Sequence, residues 1–111
     1  MRKFYLYLDD LREKPWYFDK KVVDYDSFVE FVKNQGKNII SWHISFDHDL
    51  GEGKNGYDCA KFLVEWCVEN GFKVPTYEIH SANPVGADNI RSVFETYKKF
   101  KEYGKENDIC D

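Results

Sequence analysis

The chain has 111 residues, with 20 Asp or Glu against 16 Lys or Arg and a formal net charge of -4. At 42% apolar and 18% aromatic content it is too hydrophobic for a disordered chain, and its length is that of a single domain, residues 1–111 with a core about 3–103. The acidic balance argues against a protein that coats long nucleic acid, because that binding runs on clustered Lys and Arg displacing phosphate counterions, but it leaves open a small anionic ligand handled through a metal.

In chain order, Lys3 to Leu8 is a short apolar and aromatic run halted by Asp9 and Asp10, the pattern of a strand buried on both faces. Five apolar or aromatic residues are too few for a secretory leader, and no later run approaches the roughly 20 of a membrane helix, so no membrane is expected. The stretch from Asp10 to Lys20 contains Pro15 and is too short for a crossover helix, which predicts a loop or a single turn. Lys21 to Tyr25 (KVVDY) predicts a second, weaker strand. Ser27-x-x-Glu30 has the pattern of a capping box opening a helix, with Phe28, Phe31 and Val32 on one side and Gly36 at its end. Ile39 to Phe46 (IISWHISF) is β-branched and aromatic, predicts the central strand, and runs into Asp47, His48 and Asp49.

A flexible loop with Gly51, Gly53 and Gly56 then leads to a helix capped by Asp58, with Phe62, Leu63, Trp66 and Cys67 at helical spacing and a stop at Asn70-Gly71. Thr76 to His80 (TYEIH) predicts a fourth strand, followed by Ser81, Ala82 and Asn83. The last helix carries Ile90, Val93, Phe94, Tyr97 and Phe100 on one stripe, with Asn83-Pro84 or Asp88 as start signals, and the polar tail from Gly104 is expected to fray. Cys59 and Cys67 share a predicted helix and Cys110 falls in the tail, so the three cysteines build no disulfide framework and match no zinc spacing. They read as small core residues of a reduced, cytoplasmic protein.

Strands alternating with helices predict an α/β fold with an open parallel sheet: a short flavodoxin-like order 2-1-3-4 with the fifth strand absent. Ligands of such sheets bind beyond the carboxyl ends of the strands, where strand order reverses. That topology brings Asp9, Asp10, Asp47 and Asp49 into one crevice, where four carboxylates call for a cation with hard oxygen ligands, Mg²⁺ or Mn²⁺. The alternative is that they are solvated turn and cap residues. His48 and His80 are the acid/base candidates, since imidazole titrates near neutrality, or else one of them binds a loop backbone. His43, between Trp42 and Ile44, reads as a packed or edge histidine. Ser81 and Asn83 can donate to a phosphoryl oxygen or simply shape the turn before the last helix. Arg12 can clamp an anionic oxygen or serve as a surface ion-pair residue. The glycine loop from Gly51 to Gly56 leads into a helix N-terminus that can accept phosphate, or is simply a mobile turn.

LDDLREKP (Leu8 to Pro15), SFDHDLG (Ser45 to Gly51), NGYD (Asn55 to Asp58) and HSANPVG (His80 to Gly86) together resemble the stand-alone receiver-like domains called cyclic-phosphate processing receiver domains. The four blocks fall in the family's order and span most of the chain. The resemblance implies a receiver-like fold and a role in processing cyclic or otherwise phosphorylated nucleotides. It implies that Asp9 and Asp10 form the metal-binding acidic pair, that Asp47 stands at the phosphoacceptor strand end, and that Ser81 is the hydroxyl residue after the fourth strand. Arg12, His48, Asp49, His80 and Asn83 match features that ordinary receivers lack. No strand is predicted after the last helix, so the lysine that ordinary receivers place there has no counterpart, which argues against conventional phosphorelay.

Three functions follow. One is a metal-dependent phosphoesterase for a small cyclic or phosphorylated nucleotide. In it Asp9, Asp10, Asp47 and Asp49 hold the metal, Asp47, His48 and His80 are catalytic, and Arg12, Ser81 and Asn83 bind substrate. The second is a receiver-like signalling module phosphorylated on Asp47. The third is a protein that binds or sequesters a nucleotide without turnover.

Overall fold

The structure, a computed structural model, describes residues 3–110, with side chains through residue 101. Its strands are β1 (Phe4–Leu8), β2 (Lys20–Val22), β3 (Trp42–Phe46) and β4 (Thr76–Ile79), all parallel in the order β2-β1-β3-β4, as the sequence predicts. The helices are α1 (Tyr25–Gln35), α2 (Gly56–Asn70) and α3 (Pro84–Cys110), and a 3-10 turn over Gly36–Asn38 follows α1. Among the described residues no strand follows β4, and no helix is long and apolar enough to cross a membrane.

Local hydrogen bonding explains where boundaries depart from the sequence reading. The capping box of α1 is Asp24 with Ser27, one turn upstream of the expected Ser27 and Glu30: Ser27 N–H donates to Asp24 Oδ1 (2.8 Å) and Asp24 N–H to Ser27 Oγ (3.2 Å). That cap takes Asp24 and Tyr25 out of the second strand, which shrinks to Lys20–Val22. The 3-10 turn carries the chain to Asn38, so β3 starts at Trp42 instead of Ile39 and Ile40 is left 77% exposed. α2 is capped by Asn55, with Asp58 as the reciprocal partner three residues on. It ends at Gly71 in the left-handed conformation (φ 71°), the backbone state glycine adopts most readily.

Asn83 caps α3, its Oδ1 accepting from Gly86 N–H at 3.0 Å. This helix continues to Cys110, past Gly104, from which the polar composition predicts fraying. One interior glycine costs only about 1 kcal/mol, and the surrounding Lys and Glu are good helix formers. The Cys110 side chain lies outside the described residues.

The handedness of parallel crossovers decides which face each connection covers. From β2 to β3 and from β3 to β4 the chain steps the same way across the sheet, so α1 and α2 share a face, and α3 packs beside α2. Leu6, Leu8, Val22, Trp42, Ile44 and Phe46 point into this layer and meet Phe28, Val32, Leu63, Ile90 and Phe94 in the main core. Cys59 and Cys67 are buried there, and burial pushes both thiols up, that of Cys67 to about 11, so they are inert core residues.

From β1 to β2 the chain steps the other way, and the connecting loop crosses the opposite face. Phe18, 3% exposed, inserts edge-on against Tyr5 and Tyr7, and Asp19 closes the loop by accepting from Tyr5 N–H at 2.8 Å. β1 is therefore covered on both sides, but by helices on one and by an aromatic loop on the other. His43 is a packed histidine of this second face, with its ring against Tyr5, Nδ1 2.7 Å from Thr76 Oγ1 and Nε2 3.0 Å from Glu78.

Candidate metal and phosphate site

Strand pleating brings three polar side chains to one place. Alternation puts Tyr5 and Tyr7 of β1, His43 and Ser45 of β3, and Thr76 and Glu78 of β4 on the face away from the helices, and the register sets them side by side. One residue beyond the strands, Asp9, Asp47 and His80 continue the pattern. Their amides still follow the ladder, Asp9 N–H donating to Val22 O (3.1 Å), Asp47 N–H to Leu8 O (3.0 Å) and His80 N–H to Phe46 O (3.0 Å). Each side chain therefore points to the same face, and the three offer ligand atoms all within 4.8 Å of one another.

Asp9 is 1% exposed, and a carboxylate can be buried so deeply only when its lone pairs are filled. Oδ1 accepts from the amides of Leu11 (2.8 Å) and Arg12 (2.9 Å), and Oδ2 lies 2.9 Å from Nε2 of His80. Burial pushes the Asp9 carboxyl up, but the Arg12 and Leu11 amides and His80 outweigh it and hold the acid below its ordinary value. His80 is held on every side: Nδ1 lies 2.7 Å from Ser45 Oγ, the ring stacks on Tyr7 (centroids 4.4 Å, planes 6° apart), and the carbonyl accepts from Arg12 Nη1 at 3.1 Å. Arg12 thus spans the site from Asp9 to His80.

Asp47 is half-buried beside Asp9. Burial, then the charge of Asp9, push its carboxyl above the ordinary value, against the opposing pull of the His48 amide. Asp10 adds to that repulsion and lies next to Gly51, at the rim. Two carboxylates that repel each other at this distance fit a divalent cation: Asp9 and Asp47, with Asp10 at the rim, could hold Mg²⁺ or Mn²⁺, and His80 stands beside them as the hydrogen-bond partner of Asp9.

The other predicted residues form a neighbouring group at the start of α3. His48 Nδ1 pairs with Asp49 Oδ1 at 2.9 Å, which holds the Asp49 carboxyl below its ordinary value, and Asn83 Nδ2 reaches Asp49 Oδ2 at 3.4 Å. Ser81 Oγ accepts from Asn83 N–H at 3.1 Å, shaping the turn into the helix. Two glycines permit this packing. A Cβ on Gly86 would lie 2.2 Å from Cγ of His48, and one on Gly56 would lie 1.9 Å from the carbonyl oxygen of Asp47.

The predicted metal set of Asp9, Asp10, Asp47 and Asp49 is therefore divided: Asp9 and Asp47 meet with His80, Asp10 stands at the rim, and Asp49 pairs with His48 and Asn83. Ser45 and Tyr7 escaped the sequence reading although both touch His80. The available signal was a hydroxyl at Ser45 inside an apolar strand, two residues before Asp47 and so on the same face.

A family model for the cyclic-phosphate processing receiver domain matches residues 4–96. No curated protein and no solved structure matches the chain.

Proposed function

We propose, from the premise that this chain belongs to the cyclic-phosphate processing receiver domain family, that it is a metal-assisted phosphoesterase acting on a small cyclic or phosphorylated nucleotide. The observation that carries this reading is the convergence of Asp9, Asp47 and His80 within 4.8 Å at the ends of three adjacent parallel strands. Asp9 and Asp47, with Asp10 at the rim, would hold Mg²⁺ or Mn²⁺, which suit oxygen donors. When bound, the ion neutralises phosphoryl charge and polarises a phosphoryl oxygen.

The remaining roles belong to side chains. Arg12 gives one N–H to the His80 carbonyl and keeps further donors of its guanidinium fork for anionic oxygens. His48 is the proton carrier: Nδ1–H donates to Asp49, which fixes the tautomer and leaves Nε2 to take a proton from water or return one to the leaving oxygen. Ser81 and Asn83, at the N-terminus of α3, add a hydroxyl and an amide to a place where helix amides already favour anions.

Incubation of the purified chain with Mn²⁺ and a panel of cyclic mononucleotides, cyclic oligonucleotides and 2′,3′-cyclic phosphate ends tests the reading. Ring opening is expected for at least one class. It should be abolished in Asp47→Asn and reduced by about 10² or more in His48→Ala. Intact substrates together with tight binding by calorimetry would make the chain a sequestering protein, and a phosphoryl group gained on Asp47 from acetyl phosphate would make it a receiver.

A further inference from the structure

Ser45 is the buried polar residue of β3 that the phosphoesterase reading leaves without a task. Its neighbours Ile44 and Phe46 face the helices, whereas Ser45 faces the loop side at 2% exposure, paired in register with Tyr7. The ionised Asp9 carboxylate can only accept, so at 2.9 Å the proton must sit on Nε2 of His80. In the neutral ring Nδ1 is then a bare lone pair, and Ser45 Oγ–H, 2.7 Å away, is the donor that fills it. Rotating the ring by half a turn would put carbon atoms against both Ser45 and Asp9. Tilting it would break the parallel stack on Tyr7. Both ring nitrogens are thereby occupied, unlike those of His48, whose Nε2 has no hydrogen-bond partner among the described residues.

We propose that Ser45 is a positioning residue that, through His80, holds the Asp9 carboxylate in its working orientation, so that His80 acts as a fixed strut and not as the proton carrier. Ordered from the strand outward, Ser45 O–H donates to Nδ1, Nε2–H donates to Asp9 Oδ2, and the Leu11 and Arg12 amides hold Asp9 Oδ1. Outer-shell partners of this kind change metal affinity without touching the metal. That consequence rests on Asp9 being a metal ligand, whereas the hydrogen-bonded chain itself does not.

The test has two arms. In the metal-free, ¹⁵N-labelled chain at mildly alkaline pH, two-bond proton–nitrogen correlations of His80 are expected to show a protonated Nε2 and a hydrogen-bonded, unprotonated Nδ1. Ser45→Ala should move Nδ1 to the position of an unbonded imidazole nitrogen, and Ser45→Thr, which keeps the hydroxyl on a strand-compatible side chain, should return it. A wild-type proton on Nδ1, or an Nδ1 resonance unmoved in Ser45→Ala, overturns the proposal.

In the second arm Mn²⁺ alone is titrated and followed by water proton relaxation. Ser45→Ala is expected to weaken binding about tenfold and Ser45→Thr to restore it. Wild-type affinity in Ser45→Ala overturns the claim that positioning matters to the metal. A wild-type chain that binds no Mn²⁺ overturns the metal reading of the site, and the nitrogen resonances then decide the relay by themselves.

Discussion

Asp9 and Asp47 sit one residue beyond neighbouring strands, and their surroundings drive them in opposite directions. Asp9 is held low, because the amides and His80 outweigh its burial, so it stabilises the fold above the unfolded carboxylate value of about 3.9 and that contribution is lost as pH falls through its folded value. Asp47 is pushed up by burial and by Asp9, so its share of stability is present at low pH and is lost as pH rises through its folded value. Metal-free Asp47→Asn should therefore melt higher than wild type at neutral pH and lose that advantage in acid, and calorimetry across pH reads both. A lower neutral melting temperature for Asp47→Asn would contradict the charge repulsion argued here. Added Mn²⁺ should raise the melting temperature of wild type and leave Asp47→Asn unmoved. Asp9→Asn presents an amide N–H or a weaker acceptor to His80 and should cost about 1–3 kcal/mol at neutral pH.

Caps and close approaches carry the predictions at the level of elements. Asp24→Ala should cost about 1 kcal/mol, because Asp24 caps α1, whereas Glu30→Ala should stay within about 0.5 kcal/mol, since Glu30 is not part of the capping box. Equal losses in chemical denaturation would return the cap to Ser27 and Glu30. Gly56 and Gly86 separate stability from function. At Gly56 a methyl group meets the Asp47 carbonyl, backbone that cannot swing aside, so Gly56→Ala should destabilise by about 1–3 kcal/mol or more. At Gly86 it meets the His48 ring, a side chain and not backbone, so Gly86→Ala should cost less stability than Gly56→Ala yet, because the imidazole must leave its place beside Asp49, turn over substrate about 10² times more slowly. Melting followed by circular dichroism, beside steady-state kinetics, distinguishes the two.

For the whole molecule the asymmetry of the sheet matters most. All three helices pack on one face, and the other is closed over β1 by a loop whose anchor is Phe18 between Tyr5, Tyr7 and Tyr17. That loop also delivers Arg12 to the site, where its amide bonds Asp9 and its guanidinium the His80 carbonyl. Phe18→Ala should cost about 3–5 kcal/mol, as large-to-small aromatic changes in a core do. It should also speed amide exchange in the loop and at Tyr5, whose N–H is held by Asp19. Wild-type melting and exchange would mean that the loop is not an anchor.

Local pattern in the chain sets the number, type and order of the elements, because apolar periodicity needs no distant partner: IISWHISF reads as a strand and FLVEWC as a helix face whatever surrounds them. It also sets the sheet order, since right-handed crossovers leave few alternatives, and the strand ends at which Asp9, Asp47 and His80 stand. Boundaries were less legible, since competing caps such as Asp24 and Ser27 differ only in which hydrogen bonds close. Which polar groups meet is set by the folded arrangement alone. Asp9 and His80 are 71 residues apart and Ser45 and His80 are 35 apart, and each contact depends on strand register and pleat. The pleat carries on one residue past each strand, which turns Asp9, Asp47 and His80 to a common face, while the chain has already left the ladder at Asp10, His48 and Ser81. Register is a relation between distant segments, and no local pattern encodes it.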